Sequence, residues 1–164
     1  MAPTCEDFSS GALPVATCGN GWSTSVTSGS GWVFTGNPGY NASTTIGNNR
    51  PQGSFAWIDF SSTDVGVVMQ MDPVDVSGLT SPTLTFAYFS DIGTYTNIVT
   101  PNILHVEAHN GTGWDSVATY QEFNTGWVNK IIDVSTHAVA GVVSLRFRGE
   151  SGNDSYDYYN DLLV

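Results

Sequence analysis

Basic residues are scarce in this chain. Among 164 residues there are 4 Lys and Arg against 15 Asp and Glu, so the formal net charge is −11 at pH 7. The basic residues are Arg50, Lys130, Arg146 and Arg148. Neutralising phosphates requires clustered Lys and Arg, so this balance argues against nucleic acid as a partner. It also disfavours highly sulfated polymers and anionic membranes.

Cysteine is almost absent too. The chain has only Cys5 and Cys18, and it lacks the Cys-x-x-Cys pair that is typical of thiolate zinc sites. A disulfide between them would tie down the N-terminal segment and contribute roughly 3 kcal/mol through loop-closure entropy. Because the rest of the composition is typical of an extracellular protein, we predict this bridge; the alternative is two unrelated buried thiols.

Long apolar stretches are missing as well. No run approaches the ~20 apolar residues of a membrane span, and no stretch has the features of a signal peptide. We therefore expect no insertion into a membrane. We expect residues 1–164 to be a single module excised from a larger secreted protein, located outside the cell or on its surface.

The chain instead contains short β-type segments separated by turns. Apolar residues alternate with polar ones over 83–89, 103–109 and 142–148, as in antiparallel strands with one wet face. The dipeptide Asn110-Gly111 is a hairpin signal. Further candidate strands are 32–35, 54–60, 65–71, 117–120, 128–134 and 158–164, while 135–140 makes at most one helical turn. About nine short strands predict an all-β fold, a single-domain antiparallel β-sandwich of jelly-roll type.

Several short motifs occur in a characteristic order along the chain. They are Cys5-Glu6-Asp7-Phe8, Cys18-Gly19-Asn20-Gly21-Trp22, Gly31-Trp32, Gly53-Ser54-Phe55, Thr83-Leu84-Thr85-Phe86, Arg146-Phe147-Arg148-Gly149-Glu150 and Asp161-Leu162-Leu163-Val164. In this order they resemble the MAM domain family, the extracellular modules of meprins, neuropilins and certain receptor phosphatases. The second cysteine pair of the animal modules is absent, which favours a bacterial-like variant.

The resemblance implies a jelly-roll sandwich in a family whose members are not enzymes and which mediate adhesion or ligand attachment. It also implies that the first and last strands lie side by side. Glu6, Asp7 and Asp161 would then be ligands of a structural Ca²⁺ or Na⁺, since hard cations prefer carboxylate and carbonyl oxygens. Asp59, Asp64 and Asp157 are additional candidates. The alternative is that these carboxylates are solvated and cap turns.

Aromatic residues are the best candidates for contact with a ligand. Sugar rings pack their C–H faces on aromatic rings, while neighbouring Asp, Asn and Gln bind the hydroxyls. Trp114 follows a Gly-rich turn, and Tyr156, Asp157 and Tyr159 lie in or beside a polar loop. The alternative is that these rings belong to the core, as we expect for Trp32 and Trp57.

Catalytic motifs are not found in the sequence. There is no Glu-x-Asp-x-Glu strand and no nucleophile elbow, and His105 and His109 are expected on one outward face of a strand. We therefore predict a non-catalytic recognition module. Carbohydrate binding, which would attach a parent protein to polysaccharide or to a cell surface, is favoured. The alternatives are protein–protein adhesion through a surface protein, as in animal MAM domains, and a structural spacer.

Overall fold

The structure, a computed structural model, describes residues 8, 21–35, 55–61, 64–91 and 97–164, and these ranges contain eleven β-strands. The strands are β1 (Trp22–Ser25), β2 (Trp57–Ile58), β3 (Val67–Met71), β4 (Val74–Asp75), β5 (Thr83–Asp91), β6 (Ile103–His109), β7 (Trp114–Tyr120), β8 (Val128–Asp133), β9 (Val142–Val143), β10 (Leu145–Glu150) and β11 (Asp161–Leu163). The only helical elements among these residues are 3-10 turns at Ser135–His137 and Asp157–Tyr159. No helix in the described ranges is long and apolar enough to cross a membrane.

Two antiparallel sheets pack against each other. One has the order β1-β3-β10-β6-β7, the other β2-β11-β5-β8, and β4 and β9 form a small separate pair. A single buried cluster joins Met69 and Phe147 of the first sheet to Ile58, Tyr88 and Leu162 of the second. The predicted all-β antiparallel sandwich is therefore confirmed, while its jelly-roll topology stays a prediction.

Side-chain alternation sorts the residues of each strand between the core and the surface. In β3 the burial alternates strictly, with Val67, Met69 and Met71 buried. In β6 the buried side chains include Leu104 and Val106, as the sequence pattern predicts. Because successive residues of a strand point to opposite faces, the polar residues between them lie on the outer face of the sheet.

Several predicted strands differ in extent from the observed ones. Residues 32–35 form no strand, and Val33 makes only an isolated bridge to Trp57. The 142–148 segment is split at Ser144, because β9 pairs with β4 whereas β10 pairs with β3 and β6. The last strand begins at Asp161 rather than Tyr158, because the preceding residues form a 3-10 turn in which the Asn160 N–H donates to Asp157 O at 2.9 Å.

The predicted Asn110-Gly111 hairpin connects β6 to β7. The Asn110 side-chain oxygen accepts hydrogen bonds from the Thr112 and Gly113 N–H groups, both at 2.9 Å. Gly111 has φ +96°, a backbone conformation that residues with a Cβ rarely adopt. This turn sets the register of the pair, which places Trp114 opposite His109.

Candidate functional site

A cleft of about 740 Å³ opens where β10 ends and the chain leads into β3. Its lining includes a tyrosine ring, two serine hydroxyls, a guanidinium and several carboxylates, contributed by Tyr158, Ser61, Ser151, Arg148, Glu150 and Asp157. One wall is the segment that follows β10 and includes the 3-10 turn. The opposite wall is the backbone that enters β3, because Gly149 pairs with Val67 in the sheet.

A buried asparagine network holds the wall that follows β10. The Asn102 side chain is 0% exposed, and its amide donates to Asp157 O at 2.9 Å and to Asn160 O at 2.7 Å. Its side-chain oxygen accepts from the Gly152 N–H at 2.8 Å. The Asn160 amide in turn donates to the Ser90 hydroxyl at 3.0 Å on β5. The cleft wall is thereby fastened to both sheets by interior hydrogen bonds.

A second clamp on this wall is the Asp154 carboxylate. It accepts hydrogen bonds from the backbone N–H groups of Val99, Thr100 and Tyr156, each at 3.0 Å. The hydrogen bond from the Val99 N–H is the main cause that lowers the pKa of Asp154, and the one from Tyr156 adds to it. Asp154 therefore ties the start of the 3-10 turn to the segment before β6, and its oxygens are already used.

Two carboxylates in the cleft accept hydrogen bonds through only one of their two oxygens within the described residues. Asp157 accepts a hydrogen bond from the Ser151 hydroxyl at 2.5 Å through Oδ2. Glu150 accepts from Arg148 at 2.6 Å and lies 3.1 Å from His105 Nε2, both through Oε2. In the described part of the chain, no donor contacts Asp157 Oδ1 or Glu150 Oε1. Each carboxylate is thus positioned by the protein and keeps an acceptor for a ligand.

The three tyrosines at 156, 158 and 159 differ in their position relative to the cleft. Tyr156 and Tyr158 are 37% and 38% exposed, but the described cleft lining includes Tyr158 and neither Tyr156 nor Tyr159. The ring centroids of Tyr158 and Tyr159 are 4.3 Å apart. Of the residues predicted from sequence, Asp157 therefore lies in the cleft and its neighbour Tyr158 was missed. The aromatic run in a polar loop was the available signal, but it does not say which ring faces the cleft.

Trp114, the remaining predicted ligand residue, lies outside this cleft, on the outer face of the five-stranded sheet. The Arg146 guanidinium lies over its ring, 4.3 Å from the centroid, and the His109 ring meets it edge-on at 5.3 Å. Such cation–π contacts stabilise the orientation of both side chains. The structure thus places Trp114 apart from the segment with Tyr156, Asp157 and Tyr159, although the sequence suggested all four as candidates for contact with a ligand.

Glu107, next to Trp114 on the sheet face, was also missed from sequence. It is 6% exposed and binds two arginines, with Arg146 Nε 2.5 Å and Arg148 Nε 3.0 Å from its oxygens. Burial raises the pKa of Glu107, but the hydrogen bonds from Arg148 and Arg146 outweigh burial and hold the pKa below its usual value. Glu107 is therefore an ionised carboxylate that fixes both guanidinium groups.

The two histidines of β6 lie on the same outer face, as the alternation predicts. His105 contacts the Thr119 hydroxyl at 3.2 Å and Glu150 at 3.1 Å. Burial and the neighbouring Arg148 lower the pKa of His105, so the ring is neutral at neutral pH. His109 accepts a hydrogen bond from the Gly111 N–H at 3.1 Å, which makes it part of the hairpin turn.

Of the three predicted cation ligands, the structure describes Asp161. Asp161 is 2% exposed on β11, where it pairs with Asp91 of β5. Glu6 and Asp7 lie outside the described residues, and so does the predicted Cys5–Cys18 bridge. Of the additional candidates, Asp59 accepts hydrogen bonds from Ser61, and Asp64 accepts one from the Ser30 N–H at 2.6 Å. Within the described ranges no group of three or more His, Cys, Asp or Glu is placed to hold a metal.

The structural Ca²⁺ or Na⁺ at Asp161 stays a prediction, with a direct test. If Ca²⁺ binds the folded chain at about 100 times its dissociation constant, removing it costs about 2.7 kcal/mol. A chelator should then lower the melting temperature by roughly 5–10 °C. The variant Asp161→Asn should no longer respond to Ca²⁺. A wild-type melting temperature that is the same with EDTA and with added Ca²⁺ would contradict a structural Ca²⁺.

No family model matches the chain, and a search of curated proteins finds no relative. The resemblance to MAM domains therefore rests on the sequence motifs alone and stays a prediction.

Proposed function

We propose that this protein is a non-catalytic glycan-binding module and that the cleft beside Tyr158 is its binding site. The observation that carries the proposal is the exposed Tyr158 ring next to two anchored carboxylates, Asp157 and Glu150, each with one oxygen that no described donor contacts. A sugar presents C–H faces for the ring and hydroxyl donors for the carboxylates. The hydroxyls of Ser61 and Ser151 in the lining donate to Asp59 and Asp157, so only their oxygens remain to accept from a ligand.

Rigidity of the cleft wall also supports binding rather than mere solvation. The Asn102 network and the Asp154 clamp fix the segment that carries Asp157 and Tyr158 before any ligand arrives. Preorganised groups lose less conformational entropy on binding, so more of the contact energy becomes affinity. Such a wall suits a module that attaches its parent protein to polysaccharide outside the cell.

The charge of the cleft limits the class of glycan. Its lining has the carboxylates of Asp64, Glu150, Asp154 and Asp157 and the guanidinium of Arg148, in a chain with a net charge of −11. An anionic polymer would meet like charge there, at a cost that rises as salt falls. The proposed ligand is therefore a neutral polysaccharide.

Protein–protein adhesion is the second candidate function, and the edge strand β8 favours it. Ile131 is 71% exposed and Val128 39% exposed on this strand, which pairs with β5 on one side. Exposed apolar side chains on a sheet edge are suited to docking another chain. Concentration-dependent association in sedimentation equilibrium, together with no glycan binding, would favour this candidate over the first.

Affinity electrophoresis on neutral polysaccharides tests the proposed site. We expect retardation by at least one glycan, and we expect Tyr158→Ala to weaken that binding about tenfold, roughly 1.4 kcal/mol. The matched control is Tyr156→Ala, which removes an equally exposed tyrosine outside the described lining and should bind as the wild type does. The melting temperature of each variant verifies that it is folded.

Two results would contradict this proposal. Retardation by none of the neutral glycans would remove glycan binding as the function. Retardation that is equal for the wild type and Tyr158→Ala would remove the cleft as the site.

A further inference from the structure

Two side chains belong to the cleft and to the sheet face at the same time. Arg148 and Glu150 line the cleft, and they also project from β10 on the outer face of the five-stranded sheet. Burial alternates along this strand, with Leu145, Phe147 and Gly149 on the core side. The cleft therefore adjoins the outer face of the sheet at these two residues.

The register of the strands defines how far this surface extends. Glu150 pairs with Ile103 at one end of β6, and Trp114 pairs with His109 at the other end. The strand between them has 7 residues and spans about 20 Å at the rise of an extended chain. Arg146 of β10 lies beside Glu107 along the way. The surface is thus a track, with the Tyr158 cleft at one end and Trp114 at the other.

The polar groups of the track are held in place by the protein. Glu107 is almost fully buried and fixes Arg146 and Arg148 through their Nε atoms. Arg148 also donates from Nη1 to Glu150. Neither Nη1 nor Nη2 of Arg146 donates a hydrogen bond within the part of the chain that the structure describes. These two groups are therefore oriented donors with capacity for a ligand hydroxyl, beside the Trp114 ring.

Charge on the sheet-face part of the track is balanced, although the cleft at its end has the further carboxylates of Asp64, Asp154 and Asp157. Two arginines face two glutamates on the sheet face, whereas the whole protein carries only 4 Lys and Arg against 15 Asp and Glu. A sheet face with fixed donors and acceptors and no net charge suits an uncharged, hydroxyl-rich chain. The exposed Tyr158 ring lies at one end, and the half-buried Trp114 ring, one face of which contacts Arg146, lies at the other, so a sugar ring can pack on Tyr158 and on the remaining face of Trp114.

We infer that the ligand is an extended neutral polysaccharide chain that lies along this track, held at the cleft by Tyr158 and at the far end by Trp114. The inference rests on the proposed glycan binding at the cleft and adds a second contact about 20 Å away. A short oligosaccharide reaches only the cleft. A long one gains the arginine donors and the Trp114 ring, so affinity rises with chain length until the track is filled.

Isothermal titration calorimetry with oligosaccharides of two lengths tests the inference. The probes are disaccharides and octasaccharides prepared from galactomannan, xyloglucan and laminarin. For the wild type we expect the octasaccharide to bind at least tenfold more tightly than the disaccharide of the same glycan. Trp114→Leu, which keeps an apolar side chain and removes the ring, should remove most of this gain and leave disaccharide binding unchanged.

Three controls separate the track from the cleft and from folding. Trp114→Phe retains a ring and should keep most of the gain with chain length. Asn129→Ala alters an exposed residue of β8, on the other sheet, and should behave as the wild type does. Tyr158→Ala should weaken binding of both lengths. The melting temperature of each variant reports whether it is folded.

The outcomes distinguish binding along the whole track from binding at the Tyr158 cleft alone. Equal affinity for both lengths, or an octasaccharide affinity unchanged by Trp114→Leu, would overturn the track while a loss in Tyr158→Ala would still support the cleft. Absence of binding for every oligosaccharide would overturn both. A gain with length that disappears only in Trp114→Leu supports the track.

Discussion

Replacing Asn102 with alanine is expected to lower the free energy of unfolding by roughly 3–5 kcal/mol. The side chain is 0% exposed, and its three hydrogen bonds join Gly152, Asp157 and Asn160 to the segment before β6. Alanine leaves the Gly152 N–H and the Asp157 and Asn160 carbonyls without this partner; the bond to Asn160 is buried and the other two are partly buried. A polar group left unsatisfied in the interior costs about 1–3 kcal/mol. The total is a large part of the 5–15 kcal/mol that holds a typical domain folded.

Urea denaturation measures this loss, and Asn129→Ala is the matched control. Asn129 is exposed on β8, so its removal should change the free energy of unfolding by less than about 0.5 kcal/mol. Because the Asn102 bonds also position the cleft wall, the same variant should bind the neutral glycan more weakly than the wild type does. A loss of stability no larger than that of Asn129→Ala would show that the network contributes little.

The second large effect is expected from Glu107→Gln. This change leaves Arg146 and Arg148 without the carboxylate that both of them bind. Breaking a buried ion pair by removing one partner costs about 3–5 kcal/mol, and the arginine side chains are 22% and 27% exposed, which reduces that figure. We therefore expect a loss of about 2–3 kcal/mol at pH 7, measured by urea denaturation.

The contribution of Glu107 to the free energy of unfolding should depend on pH in a definite direction. The pKa of Glu107 is lower in the folded chain than in the unfolded one, because the arginine hydrogen bonds outweigh burial. Its contribution to stability is therefore fully present above the unfolded pKa of about 4.3 and is lost as the pH falls through the folded pKa. The wild type should lose stability below about pH 4.5 more steeply than Glu107→Gln does.

Glu122→Gln is the control for this experiment. Glu122 forms an ion pair with Lys130 but its side chain is 45% exposed, so its loss should cost less than about 1 kcal/mol. If Glu107→Gln were no less stable than this control, or had the same acid profile as the wild type, the buried pair would not be stabilising the sheet face.

The strands that could be predicted from the sequence are those whose pattern is local. The 103–109 segment forms β6 with the predicted bounds, and the alternation assigns Leu104 and Val106 to the core. Such assignments need only the period of two residues in a strand. The 142–148 segment shows where that rule stops, because its pattern continues across Ser144 while the hydrogen-bonded partners change.

The candidate site was predicted less completely, because its contacts join distant parts of the chain. Asp157 was identified from its aromatic neighbours, but consecutive residues of a 3-10 turn point in different directions, so sequence could not choose Tyr158 over Tyr156. Asn102 looks like any surface asparagine until Gly152 and Asn160 are brought beside it. The expected effect of replacing Asn102 depends on its burial, and the residues next to it in the sequence do not determine that burial.

By itself, the sequence determined the β class of this protein, the core face of its regular strands, the hairpin at Asn110-Gly111 and its strong negative charge, because these depend on local pattern and composition. Only the tertiary structure decided that Tyr158 lies in a cleft and that Glu107 is buried between two arginines. Strand register and burial are set by contacts between segments far apart in the chain, and those contacts have no local signature.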